Sequence, residues 1–554
     1  MMLKTARVAA LVWLQLSLAW VGGGAQAAEP QAPTGLLTHL VVIFQENHSF
    51  DSYFATYPVA ANPPGQPAFS PRPGTPSVNG LTETLLRHNP NESNPFRIDR
   101  LQAFTCDQDH EYTAEQRARN GGLMNRFVRF AAQGPTDPRQ FCHRNSQGHW
   151  DTVMGYFDGN TVTALWNYAQ HFALSDNFFA TTAGQSTRGA LNLTAGDTFG
   201  VLCGPKDDIY GDVPPCGGPV SSAATPAPTT GRLGTLNNDV DPYWDTCSGP
   251  ATAALSGRNV GDLLTAAGVT WGWFQGGFAL SPEGTCTSSH VLEAYDKAVG
   301  IDPATDALRI PDYVPHHNPF QYFASTANPR HLPPTSLEMV GQTDQANHLY
   351  DLSWFWQAAQ AGHLPAISFL KAPAYQNGHP GNSNPLDEQV FLVETLNRLQ
   401  ALPQWESMVV IITWDDSDGW YDHVMPPIVN RSNTPLDFHC GDSTDGPGAR
   451  CGYGPRLPLL VLSPYAKENY VSHTLADQTS ILRLIEDTWL RRERLSATSF
   501  DRLSGPLLDM FDFARPVSRT VILDPTTGLP VAPTKDSQGG GSRAPGAASP
   551  PATR

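Results

Sequence analysis

The chain has 554 residues, with 52 acidic against 35 basic side chains and a formal net charge of −17 at pH 7. That balance argues against a nucleic-acid partner, whose phosphate backbone needs a cationic surface. It also argues against non-specific attraction to anionic lipid, while leaving a lipid with a zwitterionic head group compatible.

At the N-terminus, Lys4 and Arg7 precede an apolar core from Val8 to Val21, followed by Ala25-Gln26-Ala27. A positive flank, a short apolar core and small residues at −3 and −1 predict a secretory signal peptide over residues 1–27. The core is shorter than the ~20 residues a spanning helix needs, and no later stretch comes close. A secreted or periplasmic protein without a stable membrane anchor is therefore expected. Residues 535–554 are rich in Gly, Ser, Pro and Ala, have no apolar periodicity, and read as a disordered tail. Between them, residues 28–534 show no clean linker and no solenoid repeat, so a single domain is expected, with long loops such as Gly204 to Gly231 grafted on one core. Eight cysteines in an exported chain predict disulfides. Cys203–Cys216 and Cys440–Cys451 could each staple their own loop, although connectivity is not deducible from spacing.

The first strand candidate, Leu36 to Phe44, is apolar without a break from Leu40 and ends in Gln45-Glu46-Asn47-His48. Next, Thr113-Ala-Glu-Gln116 reads as a capping box that starts a helix just after His110. Val162 to His171 carries apolar residues at helical spacing. The small-residue turn Thr181 to Ser186 leads into a helix at about Thr187. A hydroxyl there would lie beside helical N–H groups, which favour bound phosphate. Strand-like runs then end at Phe274, Leu370, Trp414 and near Ser463. Among them lies a helix that Asn384 caps and Pro385 opens, with apolar positions through Leu399. Strands alternating with helices predict an α/β fold, a mostly parallel central sheet covered by helices on both faces.

The run from Ser407 to Trp414 ends in Asp415, Asp416, Asp418, Asp422 and His423. Adjacent carboxylates repel, so such a cluster needs solvent, a cation or a shared proton. Strand ends are also where open α/β sheets bind ligands. Glu46 and Asn47 offer a charged and a neutral oxygen at a second strand end, suited to a hard or borderline divalent cation.

Several blocks in order resemble the bacterial phosphoesterase family of phospholipases C and acid phosphatases, within the alkaline-phosphatase-like superfamily. They are Gln45-Glu46-Asn47-His-Ser-Phe-Asp, Cys106-Asp-Gln-Asp-His110, Gly184-Gln-Ser186-Thr-Arg, Tyr313-Val-Pro-His316-His317, Gly378-His379-Pro, Trp414-Asp415-Asp416-Ser-Asp-Gly-Trp-Tyr-Asp-His and Arg456-Leu-Pro-Leu-Leu-Val-Leu-Ser-Pro-Tyr. The resemblance runs from about Leu37 to Leu490. It implies Glu46, Asn47, Asp415 and Asp416 as ligands of a divalent metal ion of open identity. It implies Ser186 as a nucleophile that also touches the metal, and His110, His316, His317 and His379 as the lining of a phosphate pocket. Asp418, Asp422 and His423 are expected to shape the loop that orients the ligands.

There are departures from the family pattern: Gln185 and Arg188 stand where Pro is usual, Gly189-Ala190 where Asn-Arg is usual, and Asp416 where Glu is common. The implied activity is a metal-dependent phosphoesterase using a serine nucleophile on a phosphate ester. Phospholipase C-like cleavage at a phospholipid head group is the leading form. A broad acid phosphatase is the alternative, and an inactive secreted binding protein with the same fold is the reading from another class. A sulfatase is disfavoured, because no Cys/Ser-x-Pro-x-Arg motif occurs.

Overall fold

Leu40, Val41, Val42 and Ile43 are all fully buried, although successive side chains of a strand point to opposite faces. Both faces of the sheet are therefore covered, as the unbroken apolar run predicts. The computed structural model describes residues 35–531 except 228–232, 303, 305–306, 430–451 and 498. The expected signal peptide, the expected tail, and Cys440 and Cys451 lie outside the described residues.

The central sheet is built from β1 (His39–Gln45), β2 (Ala173–Ser175), β3 (Trp271–Gln275), β4 (Leu349–Asp351), β5 (Ile367–Lys371), β6 (Met408–Trp414), β7 (Leu459–Leu462) and β8 (Tyr470–Ser472). Across the sheet their order is β4-β3-β5-β1-β6-β7-β2-β8. All neighbours are parallel except β7, which runs antiparallel to both β6 and β2. The expected α/β sheet is thus mixed, with β7 reversed inside it.

The helices that bear on the site are α1 (Tyr112–Arg119), α2 (Thr163–His171), α3 (Ser186–Ala195), α4 (Pro385–Gln400) and α5 (Thr479–Trp489). In α4 the Asn384 side chain accepts from the N–H groups of Leu386 at 2.9 Å and Asp387 at 3.1 Å, and Pro385 opens the helix. The Thr113 capping box does not form: α1 begins at Tyr112, with Glu111 at the cap and no side-chain cap bond. Gln116 is engaged by Arg119, and Glu115 is drawn across to Ser417 and Gly184, so neither turns back to the helix start.

Among the described residues of Gly204 to Gly231, Ile209–Tyr210 is a strand and most of the rest is loop. Ile209–Tyr210, Gly234–Leu236, Phe199–Cys203, Thr252–Leu255 and Asp241–Pro242 form a five-stranded sheet in that order. Cys203–Cys216 pairs as expected, alongside Cys106–Cys142 and Cys247–Cys286. Among the described residues no helix is long and apolar enough to cross a membrane.

Candidate active site

β1 and β6 run parallel in a register that sets Gln45 opposite Trp414, so Glu46 and Asp415 leave the sheet side by side. Asn47 follows in the left-handed region, at φ 54°, a conformation asparagine tolerates better than most residues. Its N–H donates to Asp415 Oδ1 at 3.1 Å, and the Asp416 N–H donates to the same oxygen at 2.8 Å. Asp416 Oδ1 in turn accepts from the Asp418 N–H at 2.6 Å. Backbone donors thereby aim both aspartates.

Ser186 is the first residue of α3, and its hydroxyl converges on this cluster. Oγ lies 3.1 Å from Glu46 Oε2, 3.2 Å from Asn47 Oδ1 and 3.2 Å from Asp416 Oδ2. A hydroxyl has one proton and cannot satisfy three acceptors. Close approach of α3 is permitted by Gly189, where a Cβ would come within 2.1 Å of the Asp415 carbonyl oxygen. Gly184, at φ 103°, turns the chain into the helix against the Arg188 guanidinium. Two of the departures thus have structural uses, Gly189 for backbone contact and Arg188 for packing behind the turn. Gln185 has one as well: its Oε1 accepts from the Asp239 N–H at 3.1 Å, while Asp239 Oδ1 accepts from the Thr187 N–H at 2.8 Å. That carboxylate already occupies one helix-terminal donor expected to face phosphate.

Lys371, the last residue of β5, is missing from the sequence-based set. Its buried ammonium pairs with Glu46 Oε1 and lies 3.3 Å from Asp415 Oδ2. The signal for it is slight, a single basic residue closing an apolar strand run.

Burial, and then the charge of Asp415, push Glu46 well above the usual carboxylate range. Burial also raises Asp416 strongly; His110 opposes this and Asp415 adds to it. For Asp415 burial pushes upward too, but Lys371 and the hydrogen bonds it accepts outweigh it and hold the group low. Glu46, Asp415 and Asp416 are buried together, and Lys371 pairs with only the first two. The raised values of Glu46 and Asp416 mark carboxyls with too little positive charge beside them, which a divalent cation would supply. The inward amide atom of Asn47 tests the fit. It lies 2.9 Å from Glu46 Oε2, 3.0 Å from Asp415 Oδ1 and 3.2 Å from Ser186 Oγ. With the amide nitrogen inward, the carboxylates are bridged by its protons. With the oxygen inward, only a cation holds the oxygens together. Glu46, Asn47, Asp415, Asp416 and Ser186 thus have the donor chemistry of an oxygen-rich cation site.

Three of the four expected histidines, His110, His317 and His379, reach this centre. His317 Nδ1 is 3.2 Å from Glu46 Oε1; burial, then the charges of His316 and Lys371, lower it well below its ordinary value. His110 Nε2 is 3.4 Å from Asn47 Nδ2, with Nδ1 2.8 Å from Gln108 O and 3.1 Å from Asp418 Oδ1. Burial pulls His110 down, but Asp416 and Asp418 outweigh it and raise the group well above its ordinary value. His379 packs 6.1 Å from His110 between ring centres. Asp107, His110 and His379 also offer ligand atoms within 4.8 Å of one another. His316 faces away from the carboxylates, toward Asp241 at 3.2 Å and Asp239 at 3.7 Å. Asp418 sits behind His110, as expected of a shaping residue, whereas Asp422 and His423 belong to a separate buried network with Asp51 and Arg456.

The turn that carries His316 and His317 has its own anchor. Asp245 Oδ2 accepts from Tyr313 Oη at 2.5 Å and from Gln321 Nε2 at 3.1 Å, one on each side of the pair. His331 takes the other oxygen at 2.8 Å.

Known proteins resemble the chain over most of its length. It is 23% identical over 494 residues to a non-hemolytic phospholipase C of Pseudomonas aeruginosa, covering 86% of this chain and 57% of the relative. It is 25% identical over 518 residues to one of Burkholderia pseudomallei, covering 88% and 61%, so the chain spans about three-fifths of the length of these two relatives. Identity to phospholipase C B of Mycobacterium tuberculosis is 25% over 505 residues, covering 87% and 78%. Among solved structures, an alkaline phosphatase superfamily protein from Vibrio parahaemolyticus aligns at 12% identity and a TM-score of 0.25, covering 74% of this chain and 71% of that one. The family model described as Phosphoesterase family matches residues 37–490, a span that takes in every strand end and loop around Ser186, and the chain belongs to that family.

Proposed function

We propose that the chain is an exported phosphoesterase that cleaves a phosphate ester with Ser186 as nucleophile and a phospholipid head-group ester as its leading substrate. The observation that carries this is the convergence of two carboxylate oxygens and the Asn47 amide on the Ser186 hydroxyl at 3.1–3.2 Å. The names of the relatives, phospholipases C, support the substrate. Three disulfides fit an oxidising compartment and support export.

A divalent ion held by Glu46, Asn47, Asp415, Asp416 and Ser186 would lower the pKa of the hydroxyl and neutralise charge developing on phosphorus-bound oxygens. Ser186 Oγ loses its proton to solvent as it attacks phosphorus in line, the ester oxygen leaves, and Ser186 carries the phosphoryl group, with its head group when the substrate is a diester. The leaving oxygen takes a proton from a pocket histidine. Water then cleaves the phosphoserine, restoring the hydroxyl and releasing the phosphorylated head group, or phosphate from a monoester. His110, His317, His379 and Lys371 supply N–H donors around the transferred group. Asp239 and Asp241 hold His316 beside the nucleophile helix.

Parallel turnover of phosphatidylcholine, nitrophenyl phosphorylcholine and nitrophenyl phosphate tests the reading, with elemental analysis of the purified protein. Faster turnover of the two diesters supports the phospholipase form, and faster turnover of the monoester supports the acid phosphatase form. Turnover of none, with no bound metal, leaves the inactive binding protein.

A further inference from the structure

Glu388 lies in the first turn of α4, buried to 1% exposure, and touches none of the proposed ligands. It is nevertheless tied to the residue before the first ligand at each of the two strand ends. Oε1 accepts from Trp414 Nε1 at 3.0 Å and Gln45 Nε2 at 3.4 Å. Trp414 immediately precedes Asp415, Gln45 immediately precedes Glu46, and the two are register partners. Oε2 accepts from Tyr53 Oη at 2.6 Å, and the His48 ring stacks on Tyr53 with centroids 4.0 Å apart.

The histidine side meets the same carboxyl. Gly378, at φ 95°, packs directly against it, and a Cβ there would come within 2.9 Å of Glu388 Cδ. Gly378 immediately precedes His379, its carbonyl oxygen lies 3.2 Å from His48 Nε2, and the Glu46 N–H donates to the neighbouring Asn377 carbonyl at 2.9 Å. A fully buried carboxyl is costly unless its oxygens are taken by donors. Here the donors are Trp414, Gln45 and Tyr53, and the Gly378 backbone packs against the same carboxyl.

We infer that Glu388 is a positioning residue that sets the spacing of the two ligand-bearing strand ends and seats the His379 loop on them. The inference rests on the metal reading above. Through Trp414 and Gln45 the carboxyl controls how Asp415 and Glu46 present their oxygens, and through its contact with Gly378 it controls how far His379 can swing from Asn47.

The test compares metal-stripped wild type, Glu388→Ala, Glu388→Gln, Asp415→Asn and Leu392→Ala, the last a core variant one turn along α4. Mn²⁺ binding is read by electron paramagnetic resonance, and kcat and KM are read on the nitrophenyl ester that wild type turns over. Glu388→Ala is expected to weaken Mn²⁺ binding about 10–100-fold and to lower kcat with KM little changed. Glu388→Gln, which keeps one acceptor and the full length, recovers most of both. Leu392→Ala keeps Mn²⁺ affinity within about twofold, because it is destabilised away from the carboxyl. Unchanged affinity in Glu388→Ala, with affinity lost in Asp415→Asn, overturns the role of Glu388 alone. Unchanged affinity in both overturns the metal reading and this inference with it. An equal loss in Leu392→Ala also overturns it. If Glu388→Ala does not fold, Trp414→Phe removes one donor to the carboxyl and carries the test. A loss of about three- to tenfold is then expected, and an unchanged affinity overturns the inference.

Discussion

Glu46, Asn47, Asp415, Asp416 and Lys371 stand at the ends of three neighbouring parallel strands, whereas His110, His316, His317 and His379 arrive on loops and short turns. At the strand ends the backbone does the positioning: register places Glu46 beside Asp415, and N–H groups point the aspartate oxygens. In the loops single side chains do it. Asp418 holds His110, Asp239 and Asp241 hold His316, and Asp245 clamps the residues flanking His316 and His317. A site made this way separates two jobs. Strand ends provide a fixed, charge-dense seat, while the loops provide donors aimed by a few side chains from other segments.

The largest effects should come from the fixed half. Ser186→Ala and Asp415→Asn are each expected to cut kcat by about 10³-fold or more while leaving the circular dichroism spectrum unchanged. Substantial turnover in either would remove these residues from the mechanism.

Lys371→Met probes the same half without touching a proposed ligand. It leaves Glu46 and Asp415 buried and unpaired by an ammonium, which should cost about 3–5 kcal/mol in urea unfolding of metal-free protein. Added divalent metal should restore part of that loss. Equal loss with and without metal would mean that the lysine and the cation do not share the same carboxylates.

In the loop half, Asp245→Ala frees Tyr313 and Gln321 and lets the histidine turn shift. A fall in kcat/KM of about ten- to a hundredfold is expected, with Mn²⁺ affinity unchanged. If metal affinity falls equally, the two halves are not separable, and the comparison fails.

The smallest effect is electrostatic. Burial opposes protonation of His316, but Asp239 and Asp241 outweigh it and raise the group above its ordinary value. The pairing therefore stabilises the fold fully below about pH 6.5, the value of an unfolded histidine, and the gain is lost as pH rises through the raised folded value. Asp239→Asn keeps an acceptor for the Thr187 N–H but removes the charge. It should destabilise the protein by on the order of 1 kcal/mol more at pH 5.5 than at pH 8.5, as read by urea titration at both values. A pH-independent loss would place the role of Asp239 at the helix terminus instead.

What could be read from the chain itself follows the same division. A strand buried on both faces must be apolar along its length, so the abrupt change to Glu46-Asn47 and to Asp415-Asp416 marks strand ends and their chemistry without coordinates. The seat of Ser186 could be read too, because a small-residue turn before a helix has a local signature. Lys371 could not, since nothing local separates a buried lysine from an exposed one closing a strand. Its meaning depends on β5 lying next to β1. Nor could Asp239, Asp241 and Asp245, which a small sheet and its connections carry to the histidine turn from some seventy residues away. The Thr113 capping box misled for the same reason: its residues had better partners across the fold.

Residue type and local order therefore marked the oxygen-rich strand ends and the serine turn, while the resemblance to the phosphoesterase family singled out the proposed ligands, Ser186 and the loop histidines. Tertiary structure decided which of them meet, how their charges balance around Lys371, and which buried carboxyls hold them in place. Local sequence sets what a strand end carries, but distance between strand ends is set by register and packing, and the electrostatics of a buried site depend on distance.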